Sequence, residues 1–139
     1  MERKIITPLF LSTLLFGCSG GKSEKMIQAD IAAFSYLPYP TMDIIVNGID
    51  YGVGSGDVTT DVNLRSGEYF VFWHDAGTGV EHKSINKIVI PTATKQSTMI
   101  IHVYPTNDVE AVFTNDWPTE TEKGLRFRKN QSNNIYQKR

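Results

Sequence analysis

The stretch from residue 41 to residue 114 limits the possible folds most, because its apolar and polar residues alternate between Pro and Gly interruptions. A period of two places the apolar side chains on one face of a β-strand. The pattern predicts strands at residues 41–46, 68–74, 84–90, 98–104 and 109–114, with a hairpin turn at Asn47-Gly48. After this turn, Ile49, Tyr51 and Val53 alternate in a returning strand. Three of residues 52–56 are glycines, which favours a bulge or loop at the end of this strand.

These strands predict an all-β fold, an antiparallel β-sandwich of immunoglobulin or transthyretin type with about six or seven short strands. The connections are too short for crossover helices, which favours antiparallel pairing. Residues 68–74 and 98–104 are apolar on both faces, so we expect both strands in central positions and Trp73 in the core. Residues 26–34 fit either a short helix or an irregular lead-in, and Leu125 and Phe127 suggest that the C-terminal tail begins as an edge strand.

The first seventeen residues have the composition of a signal peptide. Basic residues at positions 3 and 4 precede a largely apolar stretch at residues 5–16. This stretch is shorter than the roughly 20 residues that a helix needs to span a bilayer, and Pro8 would interrupt it. We therefore predict a cleaved signal peptide at residues 1–17 rather than a transmembrane helix.

The sequence Leu15-Phe16-Gly17-Cys18 resembles the bacterial lipobox. This resemblance implies cleavage between Gly17 and Cys18, acylation of Cys18, and a permanent membrane anchor. Ser19 follows the cysteine, which in the Gram-negative sorting rule implies the outer membrane, facing the periplasm. The alternative is that Cys18 is a buried cysteine of an N-terminal strand.

The prediction divides the chain into four parts. Residues 1–17 form the signal peptide, residues 18–25 the lipidated cysteine and a flexible tether, residues 26–121 the β-sandwich domain, and residues 122–139 a basic C-terminal tail. Cys18 is the single cysteine of the 139 residues, so its acylation would leave no thiol for catalysis, zinc binding or a disulfide.

Charge is unevenly distributed along the chain, although the net charge is only −1. Residues 18–121 carry six basic and thirteen acidic residues, whereas residues 122–139 carry six basic residues and one acidic residue. This balance argues against a nucleic-acid-binding domain. One interpretation of this charge distribution is an ordinary solvated surface with a frayed terminus. The other is that the acidic residues 18–121 bind a basic partner while the basic tail contacts lipid phosphates.

The polar residues predict no catalytic, cofactor-binding or metal site. Residues 52–56 lack the closing lysine and the following helix of a phosphate-binding loop. A site formed by His74, His82 and Asp75 is conceivable if their loop folds back, but no two histidines have the spacing that aims two ligands at one ion. We interpret the three histidines, His102 included, as ordinary polar residues.

Trp117 is the strongest candidate for a contact with a partner. It lies in the turn-prone segment Asn115-Asp116-Trp117-Pro118, where an indole either caps the core or stands exposed as a binding anchor. Both interpretations stay open at this point. The candidate contact residues are Trp117, Asp116 and Asp75.

The order of elements is similar to a family of small proteobacterial lipoproteins that carry a domain of unknown function. The segments that carry this resemblance are residues 34–36, 44–48, 52–56, 70–73, 87–91 and 101–105, leading to residues 109–113. Members commonly carry a cysteine pair after the glycine-rich loop, where this chain has Asp57-Val58-Thr59. Some members resemble immunity proteins of type VI secretion phospholipase effectors.

This resemblance implies a protein that holds a lipase toxin inactive in the periplasm by covering its active site. Our first hypothesis is therefore a non-catalytic, membrane-anchored immunity protein that binds a lipase effector. The second hypothesis is a structural or accessory lipoprotein of a cell-wall or secretion assembly. The presence or absence of an effector gene beside this one would separate the two.

Overall fold

The computed structural model describes residues 25–137 of the chain, with side chains to residue 134. The predictions for Gly17, Cys18 and the tether therefore fall outside the described residues, apart from Lys25. The described residues form eight strands and one helix. Their bounds are β1 Met26–Ser35, β2 Thr41–Val46, β3 Ile49–Asp50, β4 Val58–Arg65, β5 Gly67–Asp75, β6 Glu81–Ile90, β7 Thr98–Val103, β8 Val109–Thr114 and α1 Glu122–Gln137.

The strands form two four-stranded sheets, which confirms the predicted all-β sandwich. The first sheet has the order β4-β1-β7-β8 and the second the order β3-β2-β5-β6. As predicted, β5 and β7 both lie inside a sheet. The inward side chains of both sheets share one core, whose largest member is the fully buried Trp73.

Most strand pairs are antiparallel, but β1 and β7 run parallel, from the pair Asp30 and Thr98 to the pair Ser35 and Val103. The predicted hairpin is confirmed by Asn47 and Gly48, which both adopt positive φ angles between β2 and β3. The returning strand contains only Ile49–Asp50. It ends before Gly52, whose φ of 70° takes the chain out of extended geometry.

Both alternatives for residues 26–34, a short helix and an irregular lead-in, are wrong, because Met26–Ser35 forms the strand β1, and β4 was not predicted at all. In β1, Ile27, Ala29, Ile31 and Ala33 point into the core, but Ala32 is also buried, so the alternation is hidden. β4 is an edge strand of mostly polar residues, of which Leu64 alone is fully buried. An edge strand with few inward apolar residues gives little periodic signal.

The prediction that the tail begins as an edge strand is wrong, because residues 122–137 form α1. Thr121 caps this helix: its Oγ1 accepts a hydrogen bond from the Gly124 amide at 3.0 Å. The less exposed positions of the helix are Gly124, Phe127, Arg128 and Gln131, which have the i, i+3, i+4, i+7 spacing of one helical face. The apolar alternation at Leu125 and Phe127 extends over too few residues to define a strand.

α1 packs against the outer face of the first sheet. Gln131 Nε2 donates to the Tyr36 carbonyl at 2.9 Å, and the Phe127 ring lies 6.1 Å from that of Tyr104. Arg128 donates to the Ser35 carbonyl at 3.3 Å. The helix therefore fixes the position of the segment that joins it to β8, and this segment carries Trp117.

Candidate functional site

Trp117 stands in the connection between β8 and α1, and its indole is 84% exposed. The connection is held on both sides of the indole. Asn115 Oδ1 accepts a hydrogen bond from the Ser97 amide at 2.8 Å, and the Asp116 amide donates to Thr114 Oγ1 at 2.9 Å. Pro118 has a fixed φ, which favours extended geometry in the residue before it. The exposed indole is thus presented on a restrained backbone.

Two cavities lie beside this indole, and both include Asp116 and Trp117 in their walls. The larger has a volume of about 400 Å³ and the smaller about 270 Å³. The larger is also lined by Asp30, Val58, Thr60, Thr98, Asn115 and Pro118. The smaller is also lined by Ile100, His102, Val112, Thr114, Thr119, Glu120 and Thr121. We call the two cavities and the indole between them the Trp117 surface.

The Trp117 surface carries only negative formal charge. Asp30, Asp116 and Glu120 lie in its walls, and none of the lining residues is Lys or Arg. Glu120 is paired through Oε1 with Arg128 at 2.6 Å, while its Oε2 is buried with no hydrogen-bond partner among the described residues. Asp116 is exposed, and the described residues provide no hydrogen-bond or ion-pair partner for its carboxylate. The surface is therefore suited to a positively charged ligand.

A hydrogen-bonded network beneath the smaller cavity joins α1 to the first sheet. The Thr121 amide donates to Tyr36 Oη at 3.0 Å, and Tyr36 Oη lies 2.9 Å from His102 Nδ1. Tyr36 Oη accepts from Thr121 and keeps its own proton, which it can donate to Nδ1 when the imidazole proton is on Nε2. Tyr104 Oη donates to Glu110 Oε2 at 2.8 Å and lies 2.8 Å from Thr121 Oγ1.

Burial shifts the ionisation of this network toward its neutral forms. It lowers the pKa of His102, which Glu110 opposes only in part, and it raises the pKa of Tyr36. Burial also raises the pKa of Tyr104 strongly. His102 is 1% exposed, and its lowered pKa keeps the imidazole uncharged at neutral pH. It therefore adds no positive charge to the floor of the smaller cavity. The carboxylates keep this surface negative.

Asp75, the third predicted contact residue, lies at the end of β5 and lines neither cavity of the Trp117 surface. Its Oδ1 accepts from the amides of Gly77 at 2.7 Å and Thr78 at 3.2 Å. The hydrogen bond from Gly77 is the main reason why the pKa of Asp75 is lowered. Asp75 therefore stabilises the turn between β5 and β6, and the structure does not bring it together with Trp117.

His74 and His82 do not converge on one site. Trp73 pairs with His82 and His74 with Glu81, so the two histidines project from opposite faces of the second sheet. His82 stacks on Tyr39 and Trp73, with ring centroids 5.3 and 5.9 Å apart. His74 Nε2 lies 3.4 Å from Glu81 Oε2. Within residues 25–137, no group of three His, Cys, Asp or Glu residues could hold a metal ion.

Sequence reasoning found Trp117 and Asp116 but missed Asp30 and Glu120. Asp30 reaches the Trp117 surface only because β1 pairs with β7, where Asp30 lies opposite Thr98. Glu120 is placed there by the capped start of α1, which the tail prediction did not include. The signal in the sequence was the Thr121-Glu122-Lys123-Gly124 segment, whose threonine suits a helix N-cap.

Comparison of the chain with protein-family models, with curated proteins and with solved structures gives no match. Within the described part of the chain, no helix is long and apolar enough to cross a membrane. The function has to be inferred from the residues of this chain alone.

Proposed function

We propose that this protein acts by binding another protein, and that the Trp117 surface is where the partner docks. The observation that carries this proposal is the indole of Trp117, which is 84% exposed between two cavities that contain carboxylates and neither lysine nor arginine. Tryptophan is enriched among the residues that dominate binding energy in protein interfaces. Opposite charge on the partner would speed its association and fix its orientation.

We further propose that the protein works from the cell envelope, anchored through an acylated Cys18 at the outer membrane and facing the periplasm. The lipobox-like sequence Leu15-Phe16-Gly17-Cys18 supports this proposal. The resemblance to immunity proteins supports a lipase effector as the partner, held inactive by steric cover of its active site. An accessory role in a cell-wall or secretion assembly is the alternative for the same binding surface.

The test uses the full chain, purified from membranes in detergent, and a phospholipase effector encoded beside its gene. Wild-type protein should inhibit the lipase stoichiometrically. Trp117→Ala should raise the dissociation constant of the complex about 30-fold, since loss of an anchor residue costs about 2 kcal/mol or more of binding energy.

Ile85→Ala is the matched control, because Ile85 is an apolar side chain that is 70% exposed on β6 of the second sheet. This variant should inhibit like the wild type, and thermal unfolding should confirm that both variants are folded. Equal inhibition by wild type and Trp117→Ala would contradict the proposed docking surface. A wild-type protein that fails to inhibit at large excess would exclude this effector as the partner and leave the accessory role.

A further inference from the structure

The larger cavity of the Trp117 surface has the composition of a site for one charged side chain. Asp30 lies in its wall from β1, Asp116 from the connection after β8, and the Trp117 indole stands beside them. Its volume of about 400 Å³ lies within the roughly 300–1,000 Å³ of pockets that hold small ligands. A long side chain of a docked protein can therefore enter it.

The two aspartates of this cavity are not neutralised within the described residues. Asp30 Oδ1 accepts from the Asp61 amide at 3.0 Å, which leaves its charge without a cation. Asp116 has no polar partner for its carboxylate in residues 25–137. By contrast, Glu120 beside the smaller cavity already has Arg128 as its counter-ion. Both unpaired carboxylates therefore line the larger cavity, and Asp116 lines the smaller one as well.

The exposed indole favours the guanidinium of arginine over the ammonium group of lysine. Tryptophan is the preferred aromatic partner of a cation, and it attracts arginine more often than lysine. A guanidinium is planar, so it can stack on the indole while its N–H groups point sideways at carboxylates. An ammonium group has no flat face and holds its hydration more strongly.

We infer that the partner inserts an arginine side chain into the larger cavity, where the guanidinium stacks on Trp117 and pairs with Asp116 and Asp30. This inference rests on the proposed function and specifies the chemistry by which the surface recognises its partner. Such a site is selective for charge as well as for shape, so a neutral side chain of equal length binds weakly.

The test titrates the ¹⁵N-labelled full chain in micelles with N-acetyl-arginine amide, N-acetyl-citrulline amide and N-acetyl-lysine amide. Citrulline has nearly the shape of arginine without its charge. The arginine probe should shift the indole N–H signal of Trp117 with a dissociation constant in the millimolar range. The citrulline probe should bind about tenfold more weakly, and the lysine probe should be weaker than arginine. The buried indole of Trp73, bonded to Tyr39 Oη at 3.1 Å, is the internal control and should not shift.

Two matched variants remove one carboxylate charge each. Asp116→Asn should weaken the arginine probe about threefold. Glu68→Gln should leave binding unchanged, because Glu68 lies on β5 of the second sheet. Equal binding of arginine and citrulline, equal binding of arginine and lysine, or no shift of the Trp117 signal would each overturn the inference.

The two experiments distinguish the arginine site from the docking surface. Trp117-dependent inhibition of the effector without a shift from the arginine probe would remove the arginine site and leave the docking surface. An arginine-selective shift together with Trp117-independent inhibition would keep the arginine site and remove the proposed function.

Discussion

At the scale of single residues, His102 shows how a polar side chain is accommodated beneath α1. It is 1% exposed, and its Nδ1 lies 2.9 Å from Tyr36 Oη. The rings of Tyr36 and Phe34 lie at 5.9 and 5.7 Å from the imidazole ring, nearly parallel to it. This site favours a neutral imidazole, because burial disfavours the charged form and lowers the pKa of His102.

We expect the free energy of unfolding to fall as the pH is lowered below about 6.5, the ordinary pKa of histidine. The pKa of His102 is lowered in the folded state, so in this range the unfolded chain binds more protons and acid favours it. The measurement is urea unfolding between pH 7 and pH 5.5. His102→Gln should show a flatter pH profile, since it lacks the titrating ring. A wild-type profile as flat as that of the variant would contradict this role of His102.

The two tryptophans show which residue environments can be predicted from the sequence. Trp73 lies in a strand that is apolar on both faces, which predicts a central strand with its indole in the core, and it is fully buried. Trp117 lies in a turn-prone segment, where exposure depends on which distant strands lie beneath it. Only the register of β1 on β7, which the sequence does not define, brings Asp30 to this segment.

At the scale of elements, α1 depends on a close approach between its first turn and the first sheet. A Cβ atom added at Gly124 would overlap the ring of Tyr36, which is 1% exposed and hydrogen-bonded to Thr121. The Arg128 guanidinium also lies over this ring, 5.2 Å from its centroid. Position 124 therefore requires glycine because a side chain there would collide with Tyr36, and not because of its backbone conformation.

Gly124→Ala should destabilise the protein by about 1–2 kcal/mol. Alanine is favoured over glycine in a helix by about 1 kcal/mol. Overpacking costs about 1–3 kcal/mol, and since the buried ring has little room to move we expect the upper part of this range, which outweighs the helix preference. The free energy of unfolding in urea measures the change. Lys129→Ala on the exposed side of α1 is the control and should stay within about 0.5 kcal/mol of the wild type. A Gly124→Ala protein that is as stable as the wild type would contradict the close packing of α1.

The elements that were predicted correctly are those rich in β-branched and aromatic residues between turn signals, such as β2, β5 and β8. Helix α1 was not predicted, because Phe127 is the one apolar residue among the four on its inward face, and the other three are Gly124, Arg128 and Gln131. Arg128 and Gln131 are held there by hydrogen bonds to the carbonyls of Ser35 and Tyr36. Hydrophobic periodicity cannot detect a helix that packs in this way.

At the scale of the whole molecule, the two sheets differ on their outer faces. The first sheet is covered by α1 and the Trp117 connection, with Ile100 and His102 buried beneath them. The second sheet carries Phe70 on its outer face, partly buried, with Lys83 at 4.1 Å and Lys87 at 5.1 Å from its ring centroid. The exposed indole and the two cavities with unpaired aspartates lie instead on the side of the first sheet.

The central claim, that the partner docks on the Trp117 surface, is tested most directly by photocrosslinking in living cells. A photoreactive phenylalanine analogue is placed at position 117 or, as the control, at position 85, where the native side chain is also largely exposed. The account predicts that one protein is crosslinked from position 117 and not from position 85, and that it co-purifies with the wild type but not with Trp117→Ala. Crosslinking of that protein from position 85 alone, or its equal co-purification with both proteins, would contradict the account.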